Sequence, residues 1–439
     1  MELEKMDGLV LGSILCKLGS KNASIFACVS SICKFHACDD GLWRVFCRED
    51  LDLLLPCDPN GNSCSSFKVA YEMWRESFRS YPLELVKRCK KNWDGIKNWA
   101  ADHFPEVLPT LQNGASELEI RDLEEKLGLE LPEPTRVLYR LCNGQSTQPT
   151  EMFTNIHYSL GIIGGYSFYN HTVNVHWLPL DLVIAETNRC RIMHDDSDFI
   201  VLKCIVVACS SNVEKFFLLS CTNGMLYVGT KNFMANGEMI PCVPKELIRM
   251  DSGGGDMTQQ DGLLLWFEEH VRSCLSGKVN VQTKDDDRGI NLFPQLPPLC
   301  SNVITHGVQV CASAIYIPER SKEDKHMFSY SIRMRLLPDG CTLDSRQFNS
   351  CQLSSRHWII RCDETVIADF SGEAVIGKYP LLSVDKREFV YESCVPLFST
   401  NGSVEGSFTF VPGRLTNPEG RSFEVKVGCF SLTVPDYIF

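Results

Sequence analysis

The chain has 439 residues, of which 44% are apolar and 22% are charged, and its formal net charge is −12. This length exceeds the ~250–300 residues at which single cores stop growing, so several domains are expected. The acidic balance argues against nucleic acid as a partner. Membrane partners are not expected either, because no run approaches the ~18 apolar residues needed to span a bilayer.

Cysteine usage indicates a reducing compartment. The 22 cysteines are spread along the chain, and no C-x-x-C pair occurs. The nearest metal-like group is Cys28, Cys33, His36 and Cys38, but on a helix the first two diverge by about 140°. We therefore expect no metal site and no cofactor. The acidic start, Met1–Lys5, is unlike a secretory signal, which predicts a cytoplasmic or nuclear protein.

Residues 1–51 are predicted to form a small cluster of helices. Val10, Ile14, Leu15 and Leu18 recur at helical spacing, and the later apolar bursts end with the segment Leu42–Cys47. A unit of about 50 residues hides only ~60% of its chain surface, so it gains stability by packing on something else. That surface could belong to another protein, or the helices could cap the next domain of this chain.

The segment resembles the F-box, by which substrate receptors dock on the Skp-type adaptor of cullin-based ubiquitin ligases. The resemblance rests on Ile14-Leu15-x-x-Leu18, Ala27-Cys28-Val29-Ser30, Leu42-Trp43-Arg44 and Phe46-Cys47. It implies that the partners are a Skp/ASK-family adaptor and, through it, cullin. The side chains expected to contact the adaptor are Met6, Val10, Ile14, Leu15, Leu18, Val29, Leu42 and Trp43.

Residues 52–83 are predicted to be a turn-rich connector followed by a bracing helix, and residues 84–275 an α/β domain. In the latter, Ser116 and Glu119 form a capping box for a helix that Gly128 ends. After Gly144 the pattern favours strands. This middle stretch resembles the SUKH superfamily of protein-binding modules. The matching segments are Trp93–Trp99, Ser116–Gly128, Leu131-Pro132, Leu138–Gln145, Gly161–Gly165 and Trp177–Leu180.

Residues 276–296 are predicted to be an interdomain linker, because they are charged and poor in apolar side chains until Leu292. From 297 to 439 the pattern favours a β-sandwich. Its best strand is Phe328–Leu336, which alternates strictly. Such a period of two predicts one buried face and one solvated face, the latter with Ser329, Ser331, Arg333 and Arg335.

This last stretch resembles the ApaG domain, which has a fibronectin-type-III-like sandwich. The matching segments are Tyr330–Ile332, Gln352-Leu353, Arg356–Ile360, Gly372–Gly377, Tyr379–Leu381, Phe389–Ser393 and Gly406–Phe408. The fold class expected for the whole chain is therefore multidomain α+β. The order of the three modules resembles that of F-box-only proteins of plants and animals, and suits the plant Skp-interacting members best.

No convincing catalytic set occurs in the sequence. The resemblance to the ApaG domain implies a glycine-rich stretch that has been likened to a pyrophosphate cradle, but in Gly372–Gly377 Ala374 stands where a glycine is usual and Glu373 would repel phosphate. A tight turn is the simpler interpretation. His357 lies on an alternating strand beside Trp358, where a structural histidine is the commoner case.

The leading hypothesis is a non-catalytic adaptor that captures an unknown protein substrate for ubiquitination through its middle and C-terminal domains. The alternatives are a phosphate-compound-binding or enzymatic protein that uses the ApaG-like domain, and a scaffold that acts without a ligase.

Overall fold

The computed structural model describes residues 7–146, 160–168, 171–193, 203–230, 232–233, 238–250, 258–284, 287–322 and 324–438. Within these ranges the chain forms nine α-helices and 20 β-strands. The fold class is multidomain α+β, as predicted, with helices at the N-terminus, a mixed middle region and a C-terminal sandwich. Among the described helices, none is both long and apolar enough to cross a membrane.

Four helices build the N-terminal region. They are α1 (Gly8–Phe26), α2 (Ser31–Ala37), α3 (Asp40–Leu51) and α4 (Phe67–Ser77). Helix α1 is kinked at Gly19, whose φ of 80° lies in the left-handed region that favours glycine. The helix predicted after the connector is present as α4, which packs on α3 through Tyr71, whose ring centre lies 5.2 Å from that of Trp43.

Five further helices belong to the middle domain. They are α5 (Leu83–His103), α6 (Glu117–Leu127), α7 (Glu133–Leu141), α8 (Leu180–Met193) and α9 (Gly262–Leu275). The predicted capping box is confirmed: the Glu119 amide donates to the Ser116 hydroxyl at 3.2 Å, and the Ser116 amide donates to the Glu119 carboxylate. Helix α8 was not predicted from the sequence, because its apolar side chains have almost no helical periodicity.

An eight-stranded sheet lies against these helices. Its strands are β1 (Gly164–Phe168), β2 (His171–Trp177), β3 (Cys204–Ser210), β4 (Phe216–Ser220), β5 (Leu226–Gly229), β6 (Met239–Pro241), β7 (Asn280–Lys284) and β8 (Asp287–Asn291). The order across the sheet is β6-β5-β4-β3-β2-β1-β8-β7. Neighbouring strands are antiparallel, except that β8 runs parallel to β1. Trp177 and Phe267 connect the sheet to α9, with ring centroids 5.2 Å apart.

The prediction of an interdomain linker at residues 276–296 is wrong. Strands β7 and β8 lie inside this range and extend the middle sheet. Ile290 and Phe293 are buried, so the few apolar residues of the segment are enough to attach it. The low apolar content of the segment indicated a linker. A hairpin at the edge of a sheet also has few apolar residues, because only one of its faces is covered by the protein.

The C-terminal domain is the predicted sandwich. One sheet has the order β17-β11-β10-β9, and the other has β15-β14-β18-β19, with β16 paired to β14 and β20 to β18. The strands are β9 (Cys300–Thr305), β10 (Val308–Tyr316), β11 (His326–Leu336), β14 (Ser350–Cys362), β15 (Thr365–Glu373), β16 (Leu381–Ser383), β17 (Phe389–Leu397), β18 (Asn401–Arg414), β19 (Asn417–Pro418) and β20 (Phe423–Thr433), and a separate ribbon pairs β12 (Cys341–Leu343) with β13 (Arg346–Phe348).

The second face of β11 is not solvated, contrary to the prediction. Ser329, Ser331 and Arg333 are buried, and only Arg335 among the four predicted outward residues is exposed. The reason is that the middle domain covers this face: the Ser329 hydroxyl donates to the Ser167 carbonyl of β1 at 3.0 Å. The two large domains are therefore packed together through a polar face.

Candidate functional site

The first two helices and the turn between them carry an unusual amount of exposed apolar surface. Seven large apolar side chains are exposed between residues 9 and 35, whereas the rest of the described chain exposes 19. We call the seven the N-terminal apolar surface: Leu9, Val10, Leu18, Ile25, Val29, Ile32 and Phe35. Concentrations of exposed apolar side chains on a soluble protein mark sites of protein–protein contact.

Side-chain caps determine where these helices begin. Asp7 accepts from the Leu9 amide at 2.9 Å, Ser30 from the Cys33 amide at 3.2 Å, and Asp39 from the Leu42 amide at 3.1 Å. Each cap satisfies an amide that a helix start would otherwise leave unpaired. The three caps thus fix the short turns that turn Val29 and Phe35 outward.

The predicted contact residues divide into three groups. Val10, Leu18 and Val29 are exposed, with 47%, 49% and 70% of their surface accessible, and Ile14 is half-buried. Leu15, Leu42 and Trp43 are buried inside the chain. Met6 lies outside the described residues.

Trp43 is a core residue, and its prediction as an exposed anchor is wrong. Its indole N–H donates to the Ala37 carbonyl at 2.7 Å, and its ring lies 5.4 Å from Phe46 and 5.2 Å from Tyr71. With 3% of its surface exposed it has nothing left to offer a partner. The physical reason is that α4 covers it, and sequence periodicity does not reveal which neighbour covers an apolar face.

Four of the seven exposed side chains were missed: Leu9, Ile25, Ile32 and Phe35. The signal was present for two of them. Once Ser30 is taken as a helix cap, Ile32 and Phe35 are three residues apart on α2 and share a face. Cys33 and Ala37, four apart, form the opposite, buried face.

The N-terminal helices are attached firmly to the rest of the chain. The Tyr71 hydroxyl of α4 donates to Asp50 of α3 at 2.6 Å and also contacts Ser20 of α1. Burial, followed by the hydrogen bond to Asp50, raises the pKa of Tyr71 well above its usual value, so it remains a donor. The buried Lys90 of α5 donates to the carbonyl of Asp52 at 3.2 Å.

The segment Gly372–Gly377 spans the end of β15 and a tight turn that follows it. The Ala374 amide donates to the Ser354 carbonyl, and Val375 and Lys378 exchange two backbone hydrogen bonds of 3.0 and 2.8 Å. Arg356 donates to the carbonyls of Glu373 and Ala374. Since these amides are used within the protein, the turn favours a structural role over a phosphate cradle.

The other polar candidates are held in structural contacts. His357 lies on the surface of β14 with its Nε2 2.7 Å from Asp369. Hydrogen bonding with Cys311 and the nearby Arg333 guanidinium lower the pKa of Cys300, but this thiol is 2% exposed and faces the domain junction. The described residues hold no group of three or more metal-ligating side chains.

Comparisons with known proteins agree with this architecture. The sequence model of the ApaG domain matches residues 317–412, and that of the SMI1/KNR4 family (SUKH-1) matches residues 114–238. The chain is 47% identical to F-box protein SKIP16 of Arabidopsis thaliana, with 100% of each chain covered. The chain belongs to the F-box protein family.

More distant relatives cover less of the F-box protein described here. It is 23% identical to F-box only protein 3 of Homo sapiens, over 91% of its own length and 76% of that protein. It is 29% identical to Protein ApaG of Afipia carboxidovorans, over 30% of its own length and 92% of that protein. The resemblances to F-box, SUKH and ApaG modules are therefore confirmed.

The folded SUKH and ApaG domains extend beyond the matched segments. Helices α5 and α9 lie outside residues 114–238, yet Trp93 and Phe267 from these helices complete the core around Trp177. Likewise β9, β10 and β20 lie wholly or almost wholly outside residues 317–412 and are needed to complete both sheets of the sandwich.

Proposed function

We propose that this F-box protein is the substrate-recognition subunit of a Skp-cullin-F-box ubiquitin ligase. The N-terminal apolar surface would bind a Skp-type adaptor and, through it, cullin. The observation that carries the proposal is this surface itself, with Phe35, Val29 and Leu9 exposed by 76%, 70% and 84% on the first two helices and the turn between them. Buried aromatic and aliphatic anchors of this kind dominate the energy of protein interfaces.

The contribution of the chain to ubiquitination is proximity, and the chemistry takes place elsewhere. A substrate held on the SUKH and ApaG domains reaches a high effective concentration near the conjugating enzyme. Rigid attachment favours this role, because a fixed distance restricts where the substrate can lie. Lys90 of the SUKH domain donates to the carbonyl of Asp52, directly after the last F-box helix, and Ser329 belongs to the polar junction with the ApaG domain. Such a subunit would work in the cytoplasm or the nucleus.

Introducing negative charge on the N-terminal apolar surface tests the proposal. In the double variant Val29→Asp/Phe35→Asp, two exposed side chains change, so the fold should survive while two charges would be buried against the adaptor. We expect the affinity for a Skp-type adaptor, measured by calorimetry, to fall by at least about a hundredfold, or ~3 kcal/mol.

The matched control is Leu118→Asp, on an exposed helical site of the SUKH domain with 72% of its surface accessible. It should leave adaptor binding unchanged. If the double variant binds the adaptor as tightly as the parent chain, the docking surface is wrong. If the parent chain recovers neither adaptor nor cullin from cells, the protein is a scaffold that acts without a ligase.

A further inference from the structure

The ApaG sandwich contains a cavity of about 340 Å³ on the side where its two sheets stand apart. The cavity lies between β15 and β17, which are the edge strands of the two sheets. Four rings contribute to its wall: Tyr330, Trp358, Phe370 and Tyr391. A cavity of this size with mostly apolar walls and few polar groups is typical of a ligand site.

Arg356 is the single charged residue among the described residues that line this cavity. Its guanidinium donates to the carbonyls of Glu373 and Ala374 through one nitrogen, Nη1, and no ion pair to a carboxylate is found within the described residues. A half-buried cation without a counter-charge is costly, and an anion that enters the cavity would neutralise it.

Tyr391 provides a second polar group at the same place. Its hydroxyl is buried, with 2% of the residue exposed, and it has no hydrogen-bond partner in the part of the chain that the structure describes. Buried hydroxyl groups are nearly always paired, and an unpaired one costs stability. Arg356 and Tyr391 thus offer two donors to one acceptor, against a wall of aromatic rings.

The edge of β15 next to the cavity is free to pair with another chain. This nine-residue strand pairs with β14 on one side and, within the described residues, with no strand on the other. Its side chains Val366, Ile367 and Phe370 are exposed by 48%, 49% and 42%. An exposed apolar edge is a template for an added strand. Phe370 belongs to both features, since it also lines the cavity.

We propose that this edge and cavity bind the carboxyl-terminal segment of a protein substrate. The segment would pair with β15 in an extended conformation, its last side chain would fill the cavity, and its carboxylate would accept hydrogen bonds from Arg356 and Tyr391. A chain terminus with an apolar last residue carries an anion and an apolar group together, as this site requires. An internal acidic side chain supplies the anion without the apolar group. The inference rests on the proposed role in substrate recognition.

The test uses the full chain and fluorescein-labelled peptides of about eight residues, with alternating Val and Thr and a final Leu or Phe. Each peptide is made with a free carboxylate and as the amide, and binding is followed by fluorescence polarisation. We expect the free acid to bind at least about tenfold more tightly than the amide, because the charge-assisted hydrogen bonds are lost in the amide.

Substitutions of Arg356 and Tyr391 test the two proposed hydrogen-bond donors separately. Arg356→Gln should abolish the difference between acid and amide, while Arg361→Gln on the same strand, whose side chain pairs with Glu405, should preserve it. Since Arg356 also holds the turn, Tyr391→Phe is the safer variant. It should weaken binding of the acid about fivefold without lowering the melting temperature, because it removes only an unpaired hydroxyl.

Several results would overturn the inference. These are equal binding of acid and amide, absence of peptide binding, and tighter binding of a peptide with an internal glutamate or phosphotyrosine. If 3-phenylpropionate binds as tightly as the peptides, the site belongs to a free small carboxylate instead. Adaptor binding is measured on the same preparations, so peptide binding without adaptor binding would reject only the ligase role.

Discussion

Phe35 of the F-box exposes 76% of its surface, whereas Trp43, eight residues later, exposes 3%. In the SUKH domain the comparable rings Trp93, Trp177 and Phe267 are all buried around one another. The F-box therefore has a small core that serves mainly to hold an apolar surface outward, while the SUKH domain turns its aromatic side chains inward. Apolar content alone does not show whether a region buries its apolar side chains or exposes them.

Replacing the two F-box rings separately should give the largest contrast. Trp43→Ala removes an indole that packs against Phe46 and Tyr71 and leaves the Ala37 carbonyl unpaired, so the free energy of unfolding should fall by about 4 kcal/mol. Phe35→Ala should change it by less than ~0.5 kcal/mol. Chemical denaturation of both variants measures the difference, and equal losses would mean that Phe35 is also part of the core.

The sequence predicted local structure well and contacts between elements poorly. The Ser116 cap and the bracing helix depend on neighbours a few residues away, and both were predicted. The burial of Trp43 depends on α4, and that of Ser329 on the docking of another domain. The alternation of apolar and polar residues along β11 is the same whether solvent or the polar surface of another domain covers the second face of the strand.

The same contrast between local structure and contacts between elements holds for the candidate sites. The resemblance to the F-box located the exposed apolar segment, yet Leu15, Leu42 and Trp43 were predicted to contact a partner and are buried, because the apolar positions of the motif include core residues. The cavity beside Arg356 was not predictable, since its walls come from five separate parts of the chain that only the two sheets bring together.

The junction between the SUKH and ApaG domains differs from both the F-box and the SUKH core, because it contains a buried ion pair. Lys215 and Glu319 are both buried with 4.0 Å between the amine and the carboxylate, and the amine also lies 4.9 Å from the centre of the Tyr166 ring. Lys215→Met leaves the buried carboxylate without its cationic partner, with the Tyr166 hydroxyl still donating to it, so the free energy of unfolding should fall by about 3 kcal/mol. Lys215→Met/Glu319→Gln should recover part of that loss in a denaturant titration.

Acid should weaken the SUKH core through a buried histidine. His270 is 6% exposed, its ring nitrogen Nε2 lies 3.0 Å from the Ile162 carbonyl, and burial lowers its pKa from 6.5 to about 4. As the pH falls, His270 therefore binds a proton in the unfolded chain at a higher pH than in the folded chain. Its contribution to the free energy of unfolding is fully present above pH 6.5 and declines as the pH falls towards 4. At pH 5 the loss should be about 2 kcal/mol.

His270→Gln isolates this contribution, since other groups also titrate in acid. The difference in unfolding free energy between pH 7.5 and pH 5 should be smaller in the variant by the same ~2 kcal/mol. An identical pH dependence in the two proteins would show that His270 is not the group responsible.

The smallest expected effect is a loss of stability in the SUKH domain that leaves the affinity for the adaptor unchanged. Ser116→Ala removes the hydroxyl that accepts from the Glu119 amide at the start of α6, so the free energy of unfolding should fall by about 1 kcal/mol. Ser116→Thr keeps an acceptor and should restore most of it. Because α6 belongs to the SUKH domain, calorimetry with a Skp-type adaptor should give the same affinity for both variants as for the parent chain. A weaker affinity in Ser116→Ala alone would mean that the F-box surface depends on SUKH stability, and the contrast between the two regions would then be one of degree.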